Sequence, residues 1–494
     1  MAAITKPDAS PAESAFRLAK VVGVLAVCAS AVSQEYGSGI NFVMVNSLGK
    51  YPDVKWLVPL AMLVAGLVLI PKVALFARLS AVAPRAGSSS VWLTRSLGLP
   101  VGFVIAFMWF VGVTAAMGFL AFSSSAFIGA FLDAIGVSGA WTTTQTGHLV
   151  IGLAAIWLIF GVHYVGVRHY ATLVSITFVL VLVAAALTIG YGFATPQHAF
   201  LTKVGTLIPT TPPAETAPSL RAFVSVITLL LFAYGGLTAA TSLGGEARDA
   251  KRTMPRGIIA GFVTALILYT AIAYALFHAV PYWTVGPLIA TKHAAIATTP
   301  GLIGLIAPRA VSAFLNLLVA VIVIKTIAPE MLDCSRYLFA WGEDGLLPAA
   351  YRRTNRFQAP HIGLVTVAIL GSLFLIEATL VGWSIGVVVR SISIVLVFGM
   401  LGIGILNLRF GGARNSPLAR VVKEHPDVLI WAPLSIIIAA ILLSSVIVVP
   451  KTAWYFQPSF QGLITILIAI GIYRSALARD RTIARRAFTH LTAE

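Results

Sequence analysis

The sequence predicts an all-α membrane protein of twelve transmembrane helices, and three observations predict it. Apolar residues make up 59% of the 494-residue chain and charged residues 10%, against about 25% charged in an ordinary soluble domain. A chain so poor in charge cannot cover its surface in water, and its mean hydropathy of +0.94 agrees. Secondly, apolar stretches of roughly 20 residues, the length an α-helix needs to cross a bilayer, recur along the whole chain. A β-barrel would show short alternating segments instead. Thirdly, the basic residues punctuate the loops between apolar runs and favour alternate loops.

The spans read, in order, as 18–47, 56–80, 98–132, 147–165, 169–193, 220–245, 256–280, 306–340, 361–382, 384–408, 428–450 and 459–476. With the N-terminus inside, the inner side collects roughly 25 of the 34 Lys and Arg residues, Lys72, Arg95, Arg336 and the pair Arg485 and Arg486 among them. The outer side receives about seven. That asymmetry is what the positive-inside rule requires. It puts both termini in the cytoplasm and accounts for the net charge of +17 without nucleic acid. Segment 1–17 reads as a cytoplasmic N-terminal stretch, and Met1 to Ser14 lacks the pattern of a cleaved signal peptide. Segment 477–494 reads as a basic cytoplasmic tail. The outer loop 195–219 holds five prolines and is too short for a domain. The loop 281–305 is partly apolar and is expected to form short helices over the outer face. Cys28 and Cys334 lie far apart in apolar segments, so neither a disulfide framework nor a metal site is expected.

Two segments carry chemistry. In span 1, Ser33-Gln34-Glu35-Tyr36-Gly37-Ser38-Gly39-Ile40 puts two glycines around a serine at mid-membrane. They weaken the helix and bare backbone groups, which is tolerated at that depth only where the backbone is buried in protein or lines a cavity. Freed N–H groups at the start of a half-helix suit a carboxylate. Small-residue helix packing is the alternative. In span 6, Phe232-Ala233-Tyr234-Gly235-Gly236-Leu237-Thr238 makes a second mid-membrane interruption five spans later. Paired interruptions at corresponding places in two halves point to a binding site between inverted repeats. The reading is then of a carrier for a small solute. No HExxH, helical GxSxG or Walker A motif favours an enzyme or an ATP-driven pump.

The stretch 232–258, FAYGGLTAATSLGGEARDAKRTMPRGI, resembles the sixth helix and following loop of amino acid permeases in the amino acid–polyamine–organocation superfamily. Gly37-Ser38-Gly39 is similar to the carboxylate motif of their first helix. Pro84-Arg85-Ala86-Gly87-Ser88 resembles the loop after their second. Ser335 to Ala340 with Glu343 to Pro348 resembles the end of their eighth. The resemblance implies a five-plus-five inverted repeat, repeat one at about 18–193 and repeat two at about 220–408, with extra helices at about 428–476 in one transporter domain, 18–476. It implies alternating access around broken helices 1 and 6. Carried over by position, the N–H groups around Gly37, Ser38 and Gly39, next to Tyr36, would hold a substrate carboxylate. Carbonyls of Phe232, Ala233, Tyr234 and Gly235, before Gly236, would hold its ammonium, with Phe232 or Tyr234 as an aromatic gate. Glu246, Arg248, Asp249, Lys251 and Arg252 would form an intracellular latch or else a solvated loop.

The departures from the family pattern are informative. Glu35 stands where relatives usually carry an apolar or small residue. A carboxyl in the membrane costs about 2.5–3.5 kcal/mol on insertion scales, so it is a functional candidate. It could cycle protons, pair with a cationic substrate group, or stay neutral against a neighbouring helix. Lys325, deep in span 8, falls near the place where sodium-coupled relatives bind an ion between helices 1 and 8. Some proton-coupled permeases fill that place with a lysine from helix 5, where this chain has Val181. Lys325 would replace the ion, its protonation coupling transport to a proton gradient or making the carrier ion-independent, or else bond a helix carbonyl; Glu330, five residues on, points elsewhere. Thr238 replaces an acid that many relatives carry. Arg390 and Glu377 would line the outer vestibule or snorkel to the interface. The expected function is secondary active transport of an amino acid or related amine across the bacterial inner membrane, proton-coupled or by exchange. The alternative is a polyamine, organic cation or other small-metabolite carrier. No cofactor is expected; the partners are the substrate and the lipid bilayer, and a homodimer is allowed.

Overall fold

The structure is a computed structural model, and it describes residues 21–483 apart from 215, 292–295, 383 and 445–452, and the side chains of residues 237, 238 and 384. The expected N-terminal segment, most of the tail, the end of span 11 and the side chain of Thr238 therefore lie outside the described residues. What is described is a multi-pass helical membrane protein. Among the described residues the only extended pairing is an isolated parallel bridge between Val22 and Ala247.

Nine helices are long and apolar enough to cross a membrane among the described residues. They fall on expected spans 2, 3, 4, 5, 7, 8, 9, 10 and 12, from Pro52–Val82 to Pro458–Arg479. A tenth arises if Pro417–Glu424 and Val428–Leu443, bent by 105°, count as one. Spans 1 and 6 present no unbroken helix of 18 residues, and their interruptions are the physical reason. Span 3, Leu99–Ile135, has 37 residues, about 55 Å of helix, so it overshoots the roughly 30 Å hydrocarbon layer or tilts within it.

Packing follows from where small residues sit. Span 7, Ala250–Ala279, carries Gly257 and Gly261 one turn apart, and a Cβ at either would fall 2.5 Å from Val27 or Ala31 of span 1. Without side chains there, the two backbones approach closely enough for dispersion contacts to bind them in lipid. Spans 3 and 8 pack along much of their length, span 10 seats span 11, and span 12 lies against span 3. Loop 281–305 forms the expected short helices, Val285–Ala290 and Thr299–Ile306.

One element was not expected. After Gly87, whose φ of +78° suits glycine, residues Ser88–Leu97 form a fully helical and largely buried hairpin limb. Arg95, counted as a loop charge, is 0% exposed and grips both carboxylate oxygens of Asp344 at 2.7 Å. The hydroxyl of Ser90 accepts from Trp341 Nε1 at 2.7 Å, and those of Ser89 and Tyr337 bond each other. This limb ties the connection between spans 2 and 3 to the end of span 8.

Candidate functional site

The first half of span 1, Val24–Glu35, stops at Tyr36, whose ψ of 91° is extended. A π-helical turn, Gly39–Val43, restarts the span and runs into Met44–Lys50. Side chains satisfy the carbonyls that the break frees: Asn41 Nδ2 donates to Gly37 O at 2.9 Å and Thr326 Oγ1 to Tyr36 O at 3.2 Å. Ser38 Oγ meets Ser123 Oγ of span 3 at 2.6 Å. Among the described residues, no carbonyl outside the helical ladders accepts from the N–H groups of Gly37, Ser38 or Gly39. Span 6 stops at Leu230, passes through successive tight turns from Leu229 to Gly235, and resumes as Leu237–Ser242.

The two breaks cross at van der Waals distance. A Cβ at Gly39 would lie 2.5 Å from Ala233 Cα, and one at Gly236 would lie 2.5 Å from Glu35 Cγ. Only glycine allows either approach. Gln34 fastens the crossing, accepting from Ala239 N at 2.9 Å and donating to Glu330 Oε2 at 3.0 Å. It therefore caps the second half-helix of span 6 from span 1. Of the two aromatic candidates, Tyr234 is fully buried and donates to Met62 O of span 2 at 3.2 Å. Phe232 is half-buried, stacks edge-on against Phe119 at 5.4 Å, and belongs to a separate cluster with Phe42, Phe122 and Val388.

Ionisable groups converge on this crossing. Glu35 is 2% exposed, and neither carboxylate oxygen has a hydrogen-bond partner. Lys325 Nζ donates to both the carbonyl and the hydroxyl of Ser33 at 2.8 Å, so it spans the gap between spans 8 and 1. Lys72 was counted as an inner-loop charge. It is instead wholly buried in span 2, over the rings of Phe76 and Trp109 and in the electrostatic reach of Glu35. Arg390 neither lines a vestibule nor snorkels. Its guanidinium lies 4.0 Å from the Trp109 ring, donates to Gly235 O at 3.3 Å and faces Glu330 at 3.6 Å. Glu377 turns to span 12, where Gln461 Nε2 donates to it at 2.5 Å.

On the side of the crossing that holds the first half of span 1, the protein is sealed. Glu246 and Arg336, both nearly inaccessible, pair at 2.7 Å. The N–H groups of Val21 and Val22 donate to Glu246 O at 3.0 Å, and Arg248 N donates to Val22 O at 2.9 Å. Asp333 accepts from Ser242 Oγ at 2.5 Å and Trp109 Nε1 at 2.9 Å. Of the five latch candidates, Glu246 makes the buried ion pair, while Arg248, Asp249, Lys251 and Arg252 are exposed. The opposite side is looser, with Phe42, Tyr51, Phe122 and Phe232 only half-buried. Sequence reasoning gave no role to Gln34, Trp109, Thr326 and Asp333, and considered Glu330 only as a partner for Lys325. Their signal was present: polar groups inside apolar runs at a depth where each needs a partner.

Comparison with known proteins bears on the family and the fold. The family model described as amino acid permease matches residues 22–472. The branched-chain amino acid permease BcaP of Lactococcus lactis is 25% identical over 332 residues, 65% of this chain and 67% of that protein. The vacuolar cationic amino acid transporter 2 of Arabidopsis thaliana is 26% identical over 203 residues, 40% of this chain but only 30% of its own length. Its mitochondrial cationic amino acid transporter 3 is 24% identical over 185 residues, 37% of this chain and 28% of its own length. Among solved structures, MhsT in complex with L-phenylalanine has a TM-score of 0.61 at 14% identity, covering 92% of this chain and 99% of that one.

Proposed function

The chain belongs to the amino acid permease family, a family of transporters and not of enzymes, and on that premise we propose that it carries an amino acid or related amine by alternating access. The reading takes twelve crossings, spans 1–5 and 6–10 as inverted repeats with 11 and 12 outside, in a bacterial inner membrane with both termini cytoplasmic. The observation that carries it is the crossing of the two breaks, where the N–H groups that open the second half of span 1 meet a buried carboxyl whose oxygens have no hydrogen-bond partner.

In this reading the N–H groups of Gly37, Ser38 and Gly39, beside Tyr36, receive the substrate carboxylate. The dipole of the half-helix that follows adds to the attraction. The ammonium is held by Glu35 with the carbonyls of the span 6 break. Several of those carbonyls already accept other donors: Phe232 O from Gly235 N, Ala233 O from Tyr269, Gly235 O from Arg390. Phe232 closes the site from the looser side, with Tyr234 and Gly236 keeping the crossing in shape. Opening of the Glu246–Arg336 seal releases the solute to the cytoplasm.

Lys325 takes the place that a bound ion would otherwise fill between spans 1 and 8, and its protonation couples transport to a proton gradient or frees the carrier from an ion; its two bonds to Ser33 support that placement. Glu35 is the group that exchanges a proton or pairs with the substrate amine. A polyamine or organic cation is the second reading, favoured by the unpartnered oxygens of Glu35. Ligand-induced thermal stabilisation across amino acids, amines and small carboxylates tests the substrate class, and no shift from any amino acid refutes it. Uptake into proteoliposomes under an imposed pH gradient tests coupling. Lys325→Ala and Glu35→Gln are expected to change that response, and wild-type behaviour from both refutes the coupling scheme.

A further inference from the structure

Three buried arginines invite comparison. Arg95 holds Asp344 through two bonds of 2.7 Å, and Arg336 holds Glu246 through one of 2.7 Å, so that each leaves its Nε and not its fork unpartnered. Arg390 is as inaccessible, at 1% exposed, yet it has no acid that close. Its Nη2 is 3.3 Å from Gly235 O and 3.6 Å from Glu330, and its Nη1 has no hydrogen-bond partner. Glu330 is itself shared, since it also accepts from Gln34 at 3.0 Å. A second buried cation, Lys72, approaches the same Trp109 ring and has no hydrogen-bond partner on Nζ. A desolvated guanidinium with unmade bonds is costly unless something fills them. A carboxylate is the group that fits its fork, through two parallel charge-assisted bonds.

The placement of Arg390 gives its spare donors a meaning. It touches the span 6 break at Gly235, one turn beyond Phe232, and Val387 and Val388 just before it in span 10 join the cluster of Phe42, Phe119 and Phe232. It therefore stands at the edge of the crossing where the solute is held. It also occupies the Gly235 carbonyl with a cation that belongs to the protein, which disfavours a second ammonium there.

We propose that the solute carries a second acidic group and that Arg390 is the residue that receives it, so that the substrate class is an acidic amino acid. This rests on the reading of the crossing as the amino acid site. The α-carboxylate sits at Gly37 to Gly39, the ammonium at Glu35 and the side-chain carboxylate on Arg390. Each charged group of the solute thereby meets a group of complementary charge or dipole at the crossing.

The test is counterflow in proteoliposomes loaded with unlabelled L-glutamate or L-aspartate, compared with L-glutamine and L-leucine, using the labelled form of each. Wild type is expected to exchange the acidic pair in preference to the neutral pair. Arg390→Gln is expected to lose roughly ten- to a hundredfold of acidic exchange and to narrow the gap to glutamine. Arg390→Lys keeps the charge without the fork and is expected to fall between them. Wild-type exchange of neutral amino acids in preference to acidic ones overturns the proposal and leaves amino acid transport intact. Exchange of none of the four, with wild-type protein shown to be folded by its melting transition, overturns the proposal, and the thermal-stabilisation panel then decides separately whether any amino acid is carried. The wild-type comparison decides the matter even if the variants fail to fold.

Discussion

Replacing Gly39 by alanine probes the crossing of the two breaks at its tightest point. The added methyl would lie 2.5 Å from Ala233 Cα and 2.6 Å from Ala233 Cβ. Carbon atoms in contact settle at about 3.5–4.0 Å, so the two segments must part by roughly 1 Å. Neither is free to do so. Span 1 is held by Thr326 on Tyr36 O and by Ser123 at Ser38, and span 6 by Gln34 on Ala239 N. Overpacking of this kind costs about 1–3 kcal/mol, and a backbone obstacle argues for the upper part of that range. A 1 Å displacement of the site is expected to lower exchange by about a hundredfold. Thermal unfolding in detergent and counterflow in proteoliposomes measure the two effects. Adding Ala233→Gly removes the 2.6 Å contact but leaves the 2.5 Å one, so the double variant is not rescued. Gly161 and Gly190, which have open space around the Cβ position, provide the control, since alanine there stays neutral or gains about 0.5–1 kcal/mol. Wild-type melting and exchange by Gly39→Ala would mean that the breaks do not cross as described.

Arg95→Ala strands Asp344, which is 4% exposed, and is expected to destabilise by about 3–5 kcal/mol; Arg95→Lys recovers little, because one ammonium cannot replace a bidentate fork. Thermal unfolding checks both, and unchanged melting of Arg95→Ala contradicts the hairpin-limb anchor. Glu246→Ala leaves Arg336 unpaired and loosens the seal. Maleimide labelling of the native Cys28 and Cys334, 9% and 1% exposed in the sealed form, is expected to accelerate, and unchanged labelling removes Glu246 from the seal. Lys325→Ala deletes two bonds of 2.8 Å to Ser33 and leaves that carbonyl unmatched in a dry interior. The expected loss is about 1–3 kcal/mol, seen as a lower melting temperature together with loss of the response to a pH gradient.

The long apolar helices were legible because lipid imposes both length and composition on them. The breaks were legible because two close pairs of glycines, Gly37 with Gly39 and Gly235 with Gly236, recur five spans apart, the pattern of paired discontinuous helices. Lys325 could be assigned to the gap between spans 1 and 8 by counting back from the Asp344 motif against the family pattern that the chain resembles. Depth alone misled elsewhere. Lys72 lies between apolar neighbours and was read as a loop charge, yet its side chain turns into the core over Trp109. Arg390 sits six residues from the start of its helix, Ser384–Phe410, and its long side chain reaches the Gly235 carbonyl instead of water. The Ser88–Leu97 limb is serine-rich and too short to span a membrane, so composition marks it as a loop. Its burial depends on tertiary partners, Tyr337, Trp341 and Asp344, some 250 residues away in sequence.

The most direct test of the crossing as the substrate site is protection from alkylation. With Cys28 and Cys334 replaced by alanine, Ser38→Cys puts one thiol at the span 1 break. Transported amino acids are expected to slow its labelling by a small maleimide in proportion to occupancy. Labelling at the same rate in the presence of every transported amino acid would place the site elsewhere and contradict the account.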